Sequence, residues 1–96
     1  MSPQKKRKLI YLRAKLDKLD NILIKALKQR TTLVKQVLKL KENKNQIVDK
    51  KRIKQILSNI KKKSIKNNID PKITNRIWKN MIWSYINFEK KKFKKK

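Results

Sequence analysis

A continuous apolar stripe governs the first part of this 96-residue chain. Between residues 5 and 42, apolar residues recur in steps that mostly alternate between three and four, and no Pro or Gly interrupts them. The positions are Leu9, Leu12, Leu16, Leu19, Leu23, Ala26, Leu33, Val37 and Leu40. At 1.5 Å per residue, this predicts one helix about 55 Å long. Two shorter helices cannot cover such a stripe, so we expect a homodimer.

Two shorter helices are predicted in the rest of the sequence. "NKNQIV" (43–48) is expected to be a loop, after which Asp49 can cap a second helix at about 49–66. Asp70 and Pro71 begin a third helix at about 71–91. The expected buried positions are Ile53, Ile56, Leu57 and Ile60, then Ile73, Ile77, Trp78, Met81, Ile82, Tyr85 and Phe88. The predicted fold is therefore all-α and a single domain, with mobile basic tails at 1–8 and 90–96.

The composition excludes several kinds of chemistry. The chain has no Cys, His or Gly, which excludes disulfides, thiolate or imidazole metal ligands and glycine-rich phosphate loops. No stretch reaches the roughly 18 apolar residues of a membrane span. The basic start is not followed by a continuous apolar run, so no signal peptide is expected. We therefore expect a soluble, cytoplasmic protein with no membrane partner.

The net charge leaves two interpretations open. Lys and Arg number 31 against six acids, for a formal charge of +25. Such a surface attracts polyanions, of which nucleic acid is the obvious candidate. A compositional drift towards Lys, Ile and Asn would produce the same excess.

Three charges fall where the apolar pattern predicts buried residues. Arg30 lies on the stripe, and Lys41 lies about 20° around the helix from it. A guanidinium cannot lose its proton and is costly to bury without an anion, which suggests a dry pocket for an anionic ligand. Snorkelling side chains, or a buried bridge to one of the six acids, would explain the cations equally well. Glu89 lies on the apolar face of the third helix, unless the last turn rotates it into solvent.

Two further arginines could complete such a pocket. Arg13 precedes Arg30 by seventeen residues, about 25 Å along one helix, so both cannot touch the same small ligand from one subunit. If the long helices pair antiparallel, Arg13 of the partner subunit could reach it. Arg52, in the first turn of the second helix, could close the pocket from another side.

At these residues the sequence resembles the all-helical, AroQ-type (type II) chorismate mutases. The matching segments are "LRAKLDKLDNILIKALKQRTTLVKQVLKLK", "VDKKR" and "IDPKITNRIWKNMIWSYINFE", together covering about 9–89. The resemblance implies an intertwined homodimer of three-helix chains. It also implies the Claisen rearrangement of chorismate to prephenate, on the route to phenylalanine and tyrosine. This unimolecular reaction requires no metal or cofactor.

The resemblance also assigns roles to individual residues. Arg30 and Arg13 of the partner subunit would clamp the two substrate carboxylates. Lys41 would donate to the ether oxygen and touch a carboxylate, Arg52 would support the carboxylate side, and Asp49 would lie near the ring hydroxyl.

Three positions depart from the family pattern. Glu89 stands where many relatives have a Gln that donates to the ether oxygen, so Glu89 would have to be protonated to do the same. Ile53 replaces a Glu that usually contacts the substrate hydroxyl. Tyr85 replaces a common Ser, with Ser84 one position earlier.

Other functions remain open at the level of sequence. Pyruvate elimination from isochorismate uses similar cations on the same scaffold. A basic helical protein that binds nucleic acid non-specifically would account for the lysines. Even under this nucleic-acid hypothesis, the aromatic residues are better explained as core or surface residues than as base-stacking platforms; these are Trp78, Trp83 and Phe93. A purely structural coiled coil fits least, because Arg30 interrupts the stripe.

Overall fold

The computed structural model describes residues 1–94 and contains three α-helices. These are α1 (Pro3–Leu40), α2 (Lys50–Lys66) and α3 (Pro71–Lys92), with a short 3-10 helix (Lys44–Gln46) between α1 and α2. No strand occurs within the described residues, and the predicted all-α class with one very long helix is confirmed. None of the helices in this part of the chain is long and apolar enough to cross a membrane.

The first helix begins and ends earlier than predicted. Its start is fixed by Ser2, whose hydroxyl accepts from the Lys5 amide (3.2 Å) and whose carbonyl accepts from the Lys6 amide (2.9 Å). The predicted basic tail at 1–8 is therefore helical from Pro3, a residue that favours the first helical position. At the other end, α1 stops at Leu40 instead of residue 42.

The segment predicted as a loop at 43–48 is ordered by one side chain. The Gln46 amide oxygen accepts from the backbone N–H groups of Glu42 (2.6 Å) and Asn43 (3.2 Å). This cap holds the 3-10 turn, which no apolar periodicity signals. The turn directs Ile47 into the core, where it is among the most buried apolar residues described.

Both predicted caps of the shorter helices are confirmed. The Asp49 carboxylate accepts from the Arg52 amide (3.0 Å), and the Asp70 carboxylate accepts from the Lys72 amide (2.9 Å). Between the helices, Asn68 adopts a left-handed backbone (φ 57°). Such a residue after a helix end allows the next amide, that of Ile69, to bond the Ser64 carbonyl at 2.9 Å. The chain therefore reverses sharply enough for α3 to pack on α2.

Contacts divide the chain into two units, Met1–Leu33 and Val34–Lys96. The first unit is the N-terminal part of α1, and its stripe is solvent-exposed, with Leu12, Leu16, Leu19 and Leu23 between 45% and 60% accessible. The second unit contains the apolar core. Buried Leu38, Ile47, Ile82 and Ile86 form its centre, and Val48, Ile53, Ile56, Leu57 and Phe93 pack around them.

The buried face of α3 differs from the predicted one. Ile73 and Ile77, predicted to be buried, are more than half exposed, whereas Ile86 is buried. The reason is a polar contact: the Thr74 hydroxyl lies 2.6 Å from that of buried Ser64 on α2. This contact turns Thr74, instead of its neighbour Ile73, towards α2.

The end of α3 was also predicted differently. Phe93, assigned to a mobile tail at 90–96, packs on the core cluster, and α3 continues to Lys92. Residues 95 and 96 of that predicted tail lie outside the described residues.

Replacing Ile86 by Ala is expected to lower the free energy of unfolding by about 2–4 kcal/mol, because it opens a cavity in a small core. Ile10→Ala is the matched control, since Ile10 is mostly exposed. Urea unfolding at one fixed protein concentration measures the difference. Equal losses for the two variants would show that Ile86 is not part of the core.

Candidate active site

An ion pair joins two of the predicted site residues of the second unit. Lys41 Nζ lies 3.3 Å from Glu89 Oε1, although the residues are 48 positions apart in the sequence. The two side chains are only 18% and 8% accessible. Glu89 therefore does not rotate into solvent, and for Lys41 the alternative of a buried bridge to an acid is correct.

The backbone fixes both members of this pair. Lys41 follows the last residue of α1, and its amide bonds the Leu38 carbonyl at 3.1 Å. Glu89 lies in the last turn of α3, where its carbonyl accepts from the Phe93 amide at 2.8 Å. Because both anchoring partners, Leu38 and Phe93, belong to the core cluster or pack on it, the ion pair is held at the edge of that cluster.

The electrostatics of the pair suit an anionic guest. Partial exclusion of water strengthens the attraction between Lys41 and a carboxylate, and it also raises the cost of leaving either charge unpaired. Lys41 has three N–H donors, of which the contact with Glu89 uses one. The ammonium can therefore bind an additional acceptor without giving up its protein partner.

Asp49 and Arg52 meet at the start of α2. With Lys51 and Gln55 they line an open cleft of about 430 Å³. Asp49 Oδ1 accepts the cap bond from the Arg52 amide, and the second carboxylate oxygen is not part of that bond. Arg52 Nη1 donates to Gln55 Oε1 at 2.9 Å. The bond to Gln55 holds the guanidinium while its remaining N–H groups stay available to an anion.

Tyr85 and Ser84 are distinguished by the faces they occupy. Tyr85 lies one helical turn before Glu89 on the same side of α3 and is half-buried. Ser84 is exposed, and its hydroxyl donates to the Asn80 carbonyl at 2.7 Å. Of the two residues, Tyr85 is the one that shares a face of α3 with Glu89.

Ile53 is half-buried and packs against the core cluster. Its side chain therefore contributes to the core packing, at the position where the family pattern has a Glu. An aliphatic side chain offers no acceptor to a hydroxyl group.

Arg13 and Arg30 lie in the first unit. Arg13 is exposed and Arg30 is half-buried. Both belong to the continuous helix α1, so the spacing of about 25 Å inferred from the sequence holds within one chain. No single small ligand spans that distance.

Sequence reasoning named Lys41 and Glu89 separately but did not pair them. The available signal was two opposite charges, each on an otherwise apolar stripe, at the ends of two predicted helices. The role of Gln46 in shaping the connection after Lys41 was not predicted, because a glutamine in a polar segment carries no distinctive pattern. Within residues 1–94, no group of three acids could hold a metal ion.

Comparison with known proteins supplies the family. A family model described as chorismate mutase type II matches residues 12–90. No curated protein and no solved structure matches the chain. The matched segment contains all the candidate residues from Arg13 to Glu89. Since it also covers most of the chain, the chain belongs to the chorismate mutase type II family, which indicates a chorismate mutase enzyme.

Proposed function

We propose that the chain rearranges chorismate to prephenate in the cytoplasm, as a step towards phenylalanine and tyrosine, with residues 9–89 as its catalytic domain. The observation that carries this proposal is the secluded Lys41–Glu89 pair in a chain of this family. In the rearrangement the ether C–O bond breaks while a C–C bond forms within one molecule. The catalyst needs no nucleophile, only a means to hold the folded conformer and stabilise charge on the departing oxygen.

The substrate carries two carboxylates, and we assign them to two arginines. Arg30 binds one carboxylate through its planar fork, and Arg13 of the partner subunit binds the other. The separation of the two residues along α1 supports this division, because Arg13 cannot reach the ligand held by Arg30 of its own chain. The exposure of Arg13 in the single chain is consistent with its serving a neighbour.

A homodimer follows from the same assignment. The exposed leucine stripe of the first unit is far too apolar for a solitary helix in water, and a second copy would cover it. Antiparallel pairing of the α1 helices would bring Arg13 of the partner subunit towards Arg30.

Lys41 and Glu89 act on the ether oxygen in this proposal. The ammonium of Lys41 donates to the oxygen as negative charge develops there, and it also touches a carboxylate. Glu89 provides the second donor when it is protonated, through the oxygen that does not accept from Lys41. The catalytic residues are therefore Lys41, Glu89 and Arg30.

The remaining site residues position the substrate. Arg52 supports the carboxylate side, and its bond to Gln55 keeps the guanidinium in place. Asp49 lies near the ring hydroxyl, and Tyr85 contributes a hydroxyl on the Glu89 face of α3. Ile53 removes the acid that usually contacts the ring hydroxyl, so hydroxyl recognition depends on Asp49 and Tyr85.

The role of Glu89 as a second donor predicts how substitutions at this position act. Glu89→Gln carries an amide N–H that donates, so this variant should retain its kcat, whereas Glu89→Leu cannot donate and should lower kcat by about 10²-fold. Initial rates of the two variants at saturating chorismate and one fixed pH make the comparison. Equal kcat values for the two variants would remove Glu89 from the mechanism.

The direct test of the proposed function is the loss of chorismate absorbance with the purified protein, with the products identified. Conversion to prephenate supports the proposal. Release of pyruvate from isochorismate, without turnover of chorismate, would instead assign the sibling elimination on the same scaffold. Absence of turnover with both substrates would overturn the enzyme assignment.

A further inference from the structure

The outer side of α3 presents a face that the proposed reaction does not use. Its members follow helical steps of three, four and seven, and each of them is solvent-exposed. We call this the cationic face; it consists of Lys72, Arg76, Lys79, Asn80, Trp83, Asn87 and Lys90. It extends about 27 Å along the helix. None of these residues belongs to the core cluster or to the candidate active site.

Trp83 is the unusual member of this face. It is 48% exposed, although tryptophan is highly buried on average. Asn80 and Asn87 lie one helical turn before and after it, so an amide flanks the indole on each side along the helix. A flat aromatic surface is thus open to solvent between two groups that can donate and accept hydrogen bonds. This setting makes Trp83 suitable for stacking, although the sequence alone did not favour that interpretation.

The charges of α3 are segregated. The helix contains one acid, Glu89, which is buried and paired with Lys41. The cationic face holds four positive charges and no carboxylate, with Lys79 one turn before Trp83 and Lys90 two turns after it. Uncompensated charge of one sign along a helix attracts a chain of the opposite sign.

We propose that the cationic face of α3 binds single-stranded nucleic acid. Lys72, Arg76, Lys79 and Lys90 contact phosphates, a base stacks on Trp83, and the flanking amides meet the base edges. Two other polyanionic partners fit less well. A membrane surface is the first: a helix enters lipid through a stripe of several apolar residues, and Trp83 alone does not form one. An acidic peptide is the second: its carboxylates could pair with the lysines, but it offers no planar group to stack on the exposed Trp83 indole.

Fluorescence titration with a short oligodeoxythymidylate tests this proposal on the full-length protein. Stacking should quench Trp83, and the quench should disappear in Trp83→Phe, which retains Trp78 and a stacking ring. Trp83→Ala should weaken binding about 5- to 100-fold. The triple variant Arg76→Gln, Lys79→Gln, Lys90→Gln should reduce the slope of log K against log salt by about 2. The matched triple variant Lys54→Gln, Lys62→Gln, Lys66→Gln removes the same charge from exposed positions of α2 and should keep the slope.

Several results would overturn the proposal. One is equal weakening by the two triple variants together with unchanged binding of Trp83→Ala, since this would mean diffuse attraction to the whole chain. Another is polyglutamate binding with the same dependence on Trp83. A third is quenching of Trp83 by phosphatidylserine vesicles but not by the oligonucleotide. Chorismate turnover should be unchanged in all these variants, so failure here leaves the proposed reaction standing.

Discussion

Replacing Arg30 by Ala is expected to lower kcat/KM for chorismate by about 10³-fold, because a fork of two charge-assisted hydrogen bonds to a desolvated carboxylate is lost. The substrate anion would then be held in a largely apolar setting without its main counter-charge. The effect should be seen in both kcat and KM, since Arg30 binds the substrate carboxylate and also holds the substrate in the folded conformer that reacts. Initial rates across a range of chorismate concentrations measure it.

Arg7→Ala is the matched control for this experiment. Arg7 is on the same helix, is exposed and has no assigned role, so its removal should change kcat/KM by less than about threefold. If Arg30→Ala retained wild-type activity, Arg30 would be a structural or snorkelling residue, and the pocket would have to be assigned elsewhere.

Lys41→Met is expected to lower kcat by about 10³-fold and to destabilise the fold as well. The activity falls because the ether oxygen loses a preorganised cation. The stability falls by about 1–3 kcal/mol, because Glu89 remains buried without its partner. Methionine retains the length of the lysine stem, so loss of packing contributes little.

The double variant Lys41→Met, Glu89→Gln separates the two effects. A neutral amide is less costly to bury than an unpaired carboxylate, so urea unfolding should show recovered stability. Activity should remain low, because the cation is still missing. Recovery of activity together with stability would show that Lys41 serves only to hold Glu89.

Much of the fold can be read from local chemistry. Asp49, Asp70 and Pro71 mark helix starts because caps act through residues next to them in sequence. The buried face of α3 could not be read in the same way. Ile73 and Thr74 are adjacent, and hydrophobicity alone favours burial of the isoleucine. Which of the two faces α2 depends on the hydroxyl contact between Thr74 and Ser64, and Ser64 lies on another helix.

The candidate site shows the same division. Charges on an apolar stripe made Arg30, Lys41 and Glu89 conspicuous, because burying an ion demands a reason. The pairing of Lys41 with Glu89 depends on how the end of α1 packs beside the end of α3. That packing is a tertiary contact, and no local sequence pattern specifies it. Sequence alone also left open a last turn that rotates Glu89 into solvent, whereas the packed unit buries this side chain to 8% accessibility.

The most direct test of the account mixes two inactive variants, Arg13→Ala and Arg30→Ala, by unfolding and refolding them together. If each site takes Arg30 from one subunit and Arg13 from the other, every mixed dimer contains one site with both arginines. Random pairing then predicts about a quarter of wild-type activity. A mixture no more active than the separate variants would mean that no site is shared between subunits, and the account would be wrong.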